Sequence, residues 1–186
     1  KKLATDFYNE TYLYDQNACT SPRLIYWIGS ECNADNAKRK FWGAVYNYIK
    51  DIYELQPSVS VDKKDAEYRA AIELECAVEK NVGEYDNRIS LVNLISLSKK
   101  IQDIRAEGGF FYEYVSENIE ELKDIVDERY QAVGVYGIEC DDIHDFVVSN
   151  GLHGIDRIKP IGHLADFELT WDGYDLIETL SRKIVW

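Results

Sequence analysis

Apolar residues recur at helical spacing in two stretches of the first half of the chain. The first stretch starts at Asp35, which can cap a helix, and continues to Leu55, just before Pro57. The second covers residues 62–80. Its inward face is predicted to consist of Tyr68, Ala71, Ile72, Glu75 and Val78. The pattern therefore predicts two amphipathic helices here, whereas the first 15 residues show no clear period.

Short apolar runs predict the strands. The run Leu24–Ile28 is typical of a buried strand, and residues 89–97 fit either a strand or a buried helical turn. Further strands are predicted at 110–115, 132–138 and 155–161, with short helices at 119–126 and 141–150 between them. Because parallel strands need helical crossovers, this alternation predicts an α/β layered domain with a largely parallel sheet flanked by helices. No repeat or linker divides the chain, so residues 1–186 are expected to form one domain.

Charge and composition exclude several classes of partner. The chain has 186 residues and a formal net charge of -13, a field that repels nucleic-acid phosphates and anionic lipid surfaces. No apolar run approaches the ~20 residues that span a bilayer, and no signal-peptide pattern opens the chain. We therefore expect a cytoplasmic protein. The chain contains no Met and begins without a turn or cap, so it is expected to be a piece of a longer protein.

The cysteines differ in their sequence surroundings. No pair has CxxC spacing and the three histidines form no HExxH set, so no metal site is predicted. Cys32, Cys76 and Cys140 are interpreted as structural, with Cys76 inside a helix and Cys140 before a helix cap. Cys19 lies among small and polar residues directly before the first predicted strand. It is either a small buried apolar residue or an accessible nucleophile whose loop amides can hydrogen-bond an oxyanion.

Two segments resemble one known family. Residues 14–23 (YDQNACTSPR) resemble the active-site segment of the LuxC-type fatty acyl-CoA reductases, a branch of the aldehyde dehydrogenase superfamily. Residues 156–163 (DRIKPIGH) and 171–177 (WDGYDLI) resemble the characteristic C-terminal stretch of the same branch. The segments occur in the family's order and at about its separation, so the resemblance covers nearly the whole chain. It implies a fold like the catalytic domain of the aldehyde dehydrogenases.

The resemblance also implies a mechanism. The thiolate of Cys19 would attack the thioester carbonyl of a fatty acyl-CoA, or accept the acyl group from a partner protein. Hydride from NADPH would then reduce the acyl-cysteine to a fatty aldehyde. In the superfamily the oxyanion is held by the nucleophile's own N–H and by an Asn of another domain. Asn17 is interpreted as shaping the loop rather than replacing that Asn.

Further roles are implied for two residues and for several partners. Glu107 is the nearest positional match to the superfamily Glu that contacts the nicotinamide ribose, although the local motif differs. His163 is a candidate acid/base near the thiol. No GxGxxG precedes Cys19, so a nucleotide-binding domain that binds most of the NADPH is expected upstream, and the isolated piece should not reduce substrate. An acyl-protein synthetase, an acyl-transferase and a second copy of the chain are partners expected by analogy.

Other residues near these motifs have simpler interpretations. Arg23 is expected to position the loop through backbone carbonyls, with a CoA phosphate as the alternative ligand. Trp171, Asp172 and Tyr174 are expected to form a tight turn around Gly173. The aromatic helix at 41–55 is interpreted as core, although its rings could line an acyl channel.

Two alternative functions differ from reduction. Cys19 could serve a thiol acyltransferase or a thioesterase with no redox step. The chain could instead be a non-catalytic domain whose Tyr-rich surface docks a partner such as an acyl-activating synthetase.

Overall fold

The computed structural model describes residues 1–78 and 85–185. The α-helices are α1 (Lys2–Glu10), α2 (Glu31–Ile49), α3 (Pro57–Glu73), α4 (Cys140–Ser149) and α5 (Leu176–Leu180). The strands are β1 (Leu24–Ile28), β2 (Ala77–Val78), β3 (Ser90–Leu94), β4 (Phe110–Ser116), β5 (Ala132–Val135), β6 (Arg157–Pro160), β7 (Thr170–Trp171) and β8 (Tyr174–Asp175). Short 3-10 helices occupy Tyr12–Tyr14, Asp86–Arg88, Lys99–Gln102 and Glu120–Asp124.

The main sheet has the strand order β1-β4-β3-β2. Strand β4 pairs in parallel with β1 and β3, and β2 is antiparallel to β3. Successive side chains of β4 point to opposite faces of the sheet. Phe110 and Tyr112 pack with Ala66 and Ala70 of α3, whereas Phe111 packs with the aromatic residues of α1 and α2. Helices therefore cover both faces, which confirms the predicted α/β layered domain with a parallel sheet.

A second, smaller unit lies after the main sheet in sequence. Strands β5 and β6 pair in parallel, with α4 as the crossover between them. Their own core contains Val135, Ile143, Phe146 and Val147. The single β-α-β-α-β alternation predicted from residue 110 onward is therefore divided between two sheets. Strand β5 does not pair with β4, because both edges of β4 are already occupied, by β1 and by β3.

The helix boundaries and one helix face differ from the predictions. Helix α2 starts after Ser30 rather than at Asp35 and ends six residues before Leu55, and α3 starts at Pro57. Proline is tolerated there because the first helical N–H has no intrahelical acceptor. The last residues of the predicted second helix lie outside the described residues. Its predicted inward face is wrong, because the buried residues are Lys63, Ala66 and Ala70, whereas Tyr68 and Ile72 are exposed.

Two other local predictions can be compared with the structure, which also contains one helix that the pattern does not predict. Cys76 lies in a turn between α3 and β2 rather than inside a helix, although it is buried as expected. Helix α1 was not predicted, because its inward positions Ala4, Phe7 and Glu10 include a charged residue. The predicted turn at Trp171–Tyr174 is confirmed as the β7–β8 hairpin, in which Asp172 and Gly173 have left-handed φ angles of 48° and 78°. No helix of the described residues is long and apolar enough to cross a membrane.

Candidate active site

Residues 15–23, here called the cysteine loop, join the Tyr12–Tyr14 helix to β1. Asp15 and Gln16 have left-handed φ angles of 50° and 62°, which reverse the chain direction. The Asn17 N–H donates to the Tyr14 carbonyl at 2.9 Å, and the Ser21 N–H donates to the Ala18 carbonyl at 3.0 Å. Cys19 is the second residue of this last turn and is exposed. The local chain therefore presents the thiol to solvent rather than to the core.

Gln16 holds the cysteine loop on the sheet. Its side chain is completely buried. The amide nitrogen donates to the carbonyls of Pro22 and Phe110, both at 2.8 Å. The amide oxygen accepts the N–H groups of Gly109 and Phe110, both at 3.0 Å. All four contacts are to backbone, so Gln16 joins both ends of the loop to the start of β4.

Arg23 completes this attachment. Its guanidinium donates to the Ala106 carbonyl at 2.8 Å and to the Gln16 carbonyl at 2.9 Å. Burial lowers the pKa of Arg23, an effect that Arg105 increases and Glu107 opposes. Both bonds are to backbone carbonyls, which agrees with the expectation that Arg23 positions the loop. The Asn17 amide makes a long 3.5 Å contact with the Asp15 carbonyl and is otherwise exposed.

The backbone amide of Cys19 is available to a ligand. Among residues 1–78 and 85–185, no protein group accepts a hydrogen bond from this N–H. Cys19 is exposed, so a group that approaches the thiol can also come near this N–H. A carbonyl attacked by the sulfur could therefore place its developing negative charge against this N–H.

The segment that carries Glu107 lies directly on the cysteine loop. Its neighbours on both sides are bonded there: Ala106 accepts from Arg23, and the Gly108 N–H donates to the Asp15 carbonyl at 3.2 Å. Glu107 itself is exposed. The structure thus brings this exposed carboxylate to the same side of the molecule as the cysteine loop.

His163 is connected to the cysteine loop less directly than Glu107 is. Its Nδ1 pairs with the Asp166 carboxylate at 2.7 Å, and its side chain is 54% exposed. The N–H groups of Gly162 and Leu164, on both sides of it, donate to one oxygen of Glu10 at 2.8 Å each. In the residues that the structure describes, no hydrogen bond joins His163 itself to the cysteine loop. The two motifs are therefore connected through the hydrogen bonds of Glu10.

Comparison with known proteins decides which family this is. A family model described as "Acyl-CoA reductase (LuxC)" matches residues 1–183. The chain belongs to the LuxC acyl-CoA reductase family. No curated protein sequence matches it. A solved structure that it resembles is an NAD-dependent benzaldehyde dehydrogenase from Corynebacterium glutamicum, with 12% sequence identity and a TM-score of 0.47. The alignment covers 86% of this chain and 36% of that enzyme.

Both segments that resemble the LuxC family lie inside the matched range. Contacts within the C-terminal one indicate what it does in the fold. The Arg157 guanidinium lies 4.4 Å from the centre of the Trp171 ring and donates to the Asp166 carbonyl. Trp171 therefore supports Arg157, which in turn supports the residue paired with His163. This gives the hairpin a role in holding the histidine segment, which is defined as residues 162–166.

Glu10 belongs to the candidate site, but the sequence analysis did not identify it. It ends a helix whose buried positions follow a spacing of three, and a carboxylate at such an inward position is unusual. Burial raises the pKa of Glu10, and the hydrogen bonds from Leu164 and Gly162 partly oppose that shift. A search for polar residues on inward helix faces would have found it.

The remaining residues considered in the sequence analysis have contacts typical of structural residues. In the predicted aromatic helix at 41–55, Trp42, Val45 and Ile49 are buried in the core. The Tyr53 hydroxyl donates to the Asp15 carboxylate at 2.8 Å. Burial raises the pKa of the Cys76 thiol. No group of three or more His, Cys, Asp or Glu side chains that could hold a metal occurs among the described residues.

Proposed function

We propose that this chain is the nucleophile-bearing domain of an NADPH-dependent acyl-CoA reductase, and that Cys19 receives the acyl group of a fatty acyl-CoA. The observation that supports this most strongly is the exposed Cys19 on a turn held by the buried Gln16, with an N–H that finds no acceptor in the described part of the chain. A loop that is rigid at its base and open at the sulfur is suited to covalent catalysis, because the nucleophile need not reorganise to react.

The acyl transfer uses groups of this chain. The sulfur of Cys19 attacks the thioester carbonyl, and the Cys19 N–H stabilises the oxyanion of the tetrahedral intermediate. When that intermediate collapses, the bond to the CoA sulfur breaks and the acyl group stays on Cys19. His163 takes the thiol proton and returns it to the CoA thiolate. Asp166, bonded to Nδ1, would leave Nε2 of His163 free for this exchange.

The residues present fit one edge of a nicotinamide site. Glu107 is an exposed carboxylate beside the loop, and carboxylates accept hydrogen bonds from ribose hydroxyls. Bound NADPH would supply the hydride that releases the acyl group as an aldehyde. The rest of the cofactor would be bound by a nucleotide-binding domain that precedes this chain in the whole protein. Without that domain, we expect acyl transfer to Cys19 but no reduction.

The cellular setting is proposed on similar grounds. Cys19 and Cys32 are exposed free thiols, which persist in a reducing compartment such as the cytoplasm. Partners that would deliver the acyl group are an acyl-protein synthetase and an acyl-transferase. A homodimer is proposed by analogy with the superfamily.

Mass spectrometry of the full-length protein mixed with a fatty acyl-CoA tests the proposal. We expect one acyl adduct, which is lost in Cys19→Ala. Cys32→Ala is the matched control, because Cys32 is also an exposed free thiol, and this variant should keep the adduct. Addition of NADPH should discharge the adduct and release a fatty aldehyde.

Other results separate the alternatives. Loss of the adduct by hydrolysis, with no NADPH oxidised, would favour a thioesterase or acyltransferase. An adduct that persists in Cys19→Ala, or a wild type that takes up no acyl group, would show that the nucleophile assignment is wrong.

A further inference from the structure

Glu10 makes an unusual set of contacts for a buried carboxylate. It is the last residue of α1 and is only 3% exposed. Its backbone carbonyl accepts the Ser21 hydroxyl at 2.7 Å, and Ser21 closes the turn that contains Cys19. Its carboxylate accepts the two N–H groups on both sides of His163. One residue therefore contacts both of the family's motifs.

The surroundings of Glu10 reinforce the connection to the histidine segment. Gly162 has a left-handed φ of 99°, and a Cβ at this position would lie 2.8 Å from the Asp6 side chain. The segment thus approaches α1 more closely than a side chain at Gly162 would allow. The groups whose charges act on Glu10 are Asp6 and His163. Asp6 is itself paired with Lys2 at 2.6 Å.

Glu113 shows what a purely structural buried carboxylate looks like in this chain. It is equally buried, in the middle of β4. It accepts the indole N–H groups of Trp27 and Trp42, each at 2.8 Å, and lies 3.7 Å from the Lys38 ammonium. These partners are side chains of β1 and α2, and none belongs to the cysteine loop or the histidine segment.

We propose that Glu10 is a positioning residue for acyl transfer, which holds the His163 segment and the cysteine loop in one fixed arrangement. The proposal rests on the function proposed above. It follows from the contacts: without the carboxylate, the N–H groups of Gly162 and Leu164 lose their acceptor, and Leu164 is buried where water cannot replace it. His163 would then no longer be fixed relative to the turn that Ser21 attaches to Glu10.

A double-mutant cycle on the full-length protein tests this. The rate of Cys19 acylation by a fatty acyl-CoA is measured in the wild type, Glu10→Ala, His163→Ala and the double variant. We expect Glu10→Ala to slow acylation roughly 10- to 100-fold, the range that a misplaced catalytic group costs. The double variant should be no slower than His163→Ala alone, because Glu10 acts through His163.

Two further variants separate positioning from general loss of stability. Glu10→Gln keeps an amide oxygen that can accept both N–H groups, so it should restore most of the rate. Glu113→Gln removes an equally buried carboxylate that touches neither loop and should leave the acylation rate unchanged, even where it lowers stability.

Each outcome supports or overturns one statement. If the wild type forms no adduct, the proposed function is wrong. If the adduct forms but Glu10→Ala reacts at the wild-type rate, or its effect adds fully to that of His163→Ala, the role of Glu10 is wrong while Cys19 stands. The role is equally overturned if His163→Ala does not slow acylation.

Discussion

The cysteine loop and the C-terminal region after β5 are held in place in different ways. The cysteine loop is bonded to the sheet by the buried Gln16 and the half-buried Arg23, whose partners are all backbone atoms. The C-terminal region instead exposes many large apolar side chains. These are Tyr136, Val148, Phe167, Leu169, Tyr174, Ile177, Leu180, Ile184 and Val185. Several of its side-chain bonds are exposed and close in sequence, such as the Lys159–Glu168 pair and the bond from the Glu178 N–H to Asp175.

The two regions differ in how strongly their side-chain bonds fix the backbone. Buried polar bonds to backbone fix a loop strongly, because breaking one leaves an unsatisfied group where water cannot enter. Exposed pairs add little, because water competes for both partners. The histidine segment and the β7–β8 hairpin therefore depend on a few buried contacts, chiefly those of Glu10 and Arg157. The following predictions test this contrast, from the largest expected effect to the smallest.

Gln16→Ala should destabilise the protein by about 3 kcal/mol, because four buried backbone groups would lose their partner. The measurement is the free energy of unfolding in urea. Asn17→Ala, at the exposed neighbour, is the matched control and should have little effect. Equal losses in both variants would show that the loop is not held by buried bonds.

The buried Lys63 should make the free energy of unfolding depend on pH. It is 1% exposed and donates to the carbonyls of Asn87 and Gly108 at 2.6 and 2.7 Å. Burial lowers the pKa of Lys63 from 10.5 to about 7. Between pH 7 and 9 the unfolded chain keeps this proton and the folded chain loses it, so the wild type gains stability as pH rises.

The comparison with Lys63→Met isolates this effect. The free energy of unfolding of the wild type, relative to the variant, should rise by about 1 kcal/mol per pH unit from pH 7 to 9. Lys64→Met, at a partly exposed neighbour, should follow the wild-type pH dependence. Parallel curves for the wild type and Lys63→Met would contradict the lowered pKa.

Arg157→Lys should destabilise the protein by about 1 kcal/mol, because the planar guanidinium over the Trp171 ring is lost while a charge is kept. Urea unfolding followed by Trp fluorescence measures it. Lys159→Ala, which breaks an exposed pair two residues further along the same strand, should change the unfolding free energy by no more than the experimental error. If Lys159→Ala lowered the unfolding free energy more than Arg157→Lys, the exposed pair would contribute more to stability in this region than the contacts of Arg157.

Much of the fold was predictable because local chemistry specifies it. The strands at Leu24–Ile28 and Phe110–Ser116 were predicted within one or two residues, because continuous apolar runs are typical of strands covered on both faces. Helix α3 was predicted with the wrong inward face, because Lys63 is buried while Tyr68 and Ile72 are exposed. Periodicity assumes that inward residues are apolar, and this helix violates that assumption.

The sequence by itself determined the family, the position of the Cys19 loop and the strands around it, because these depend on neighbouring residues. Tertiary structure alone decided what holds the site together. Gln16 bonds to Phe110 across 94 positions, and Glu10 bonds to Gly162 across 152. No local pattern records such partners, because a side chain that satisfies distant backbone groups has no periodicity of its own. The same burial that creates these bonds also lowers the pKa of Lys63 to about 7 and raises that of Glu10.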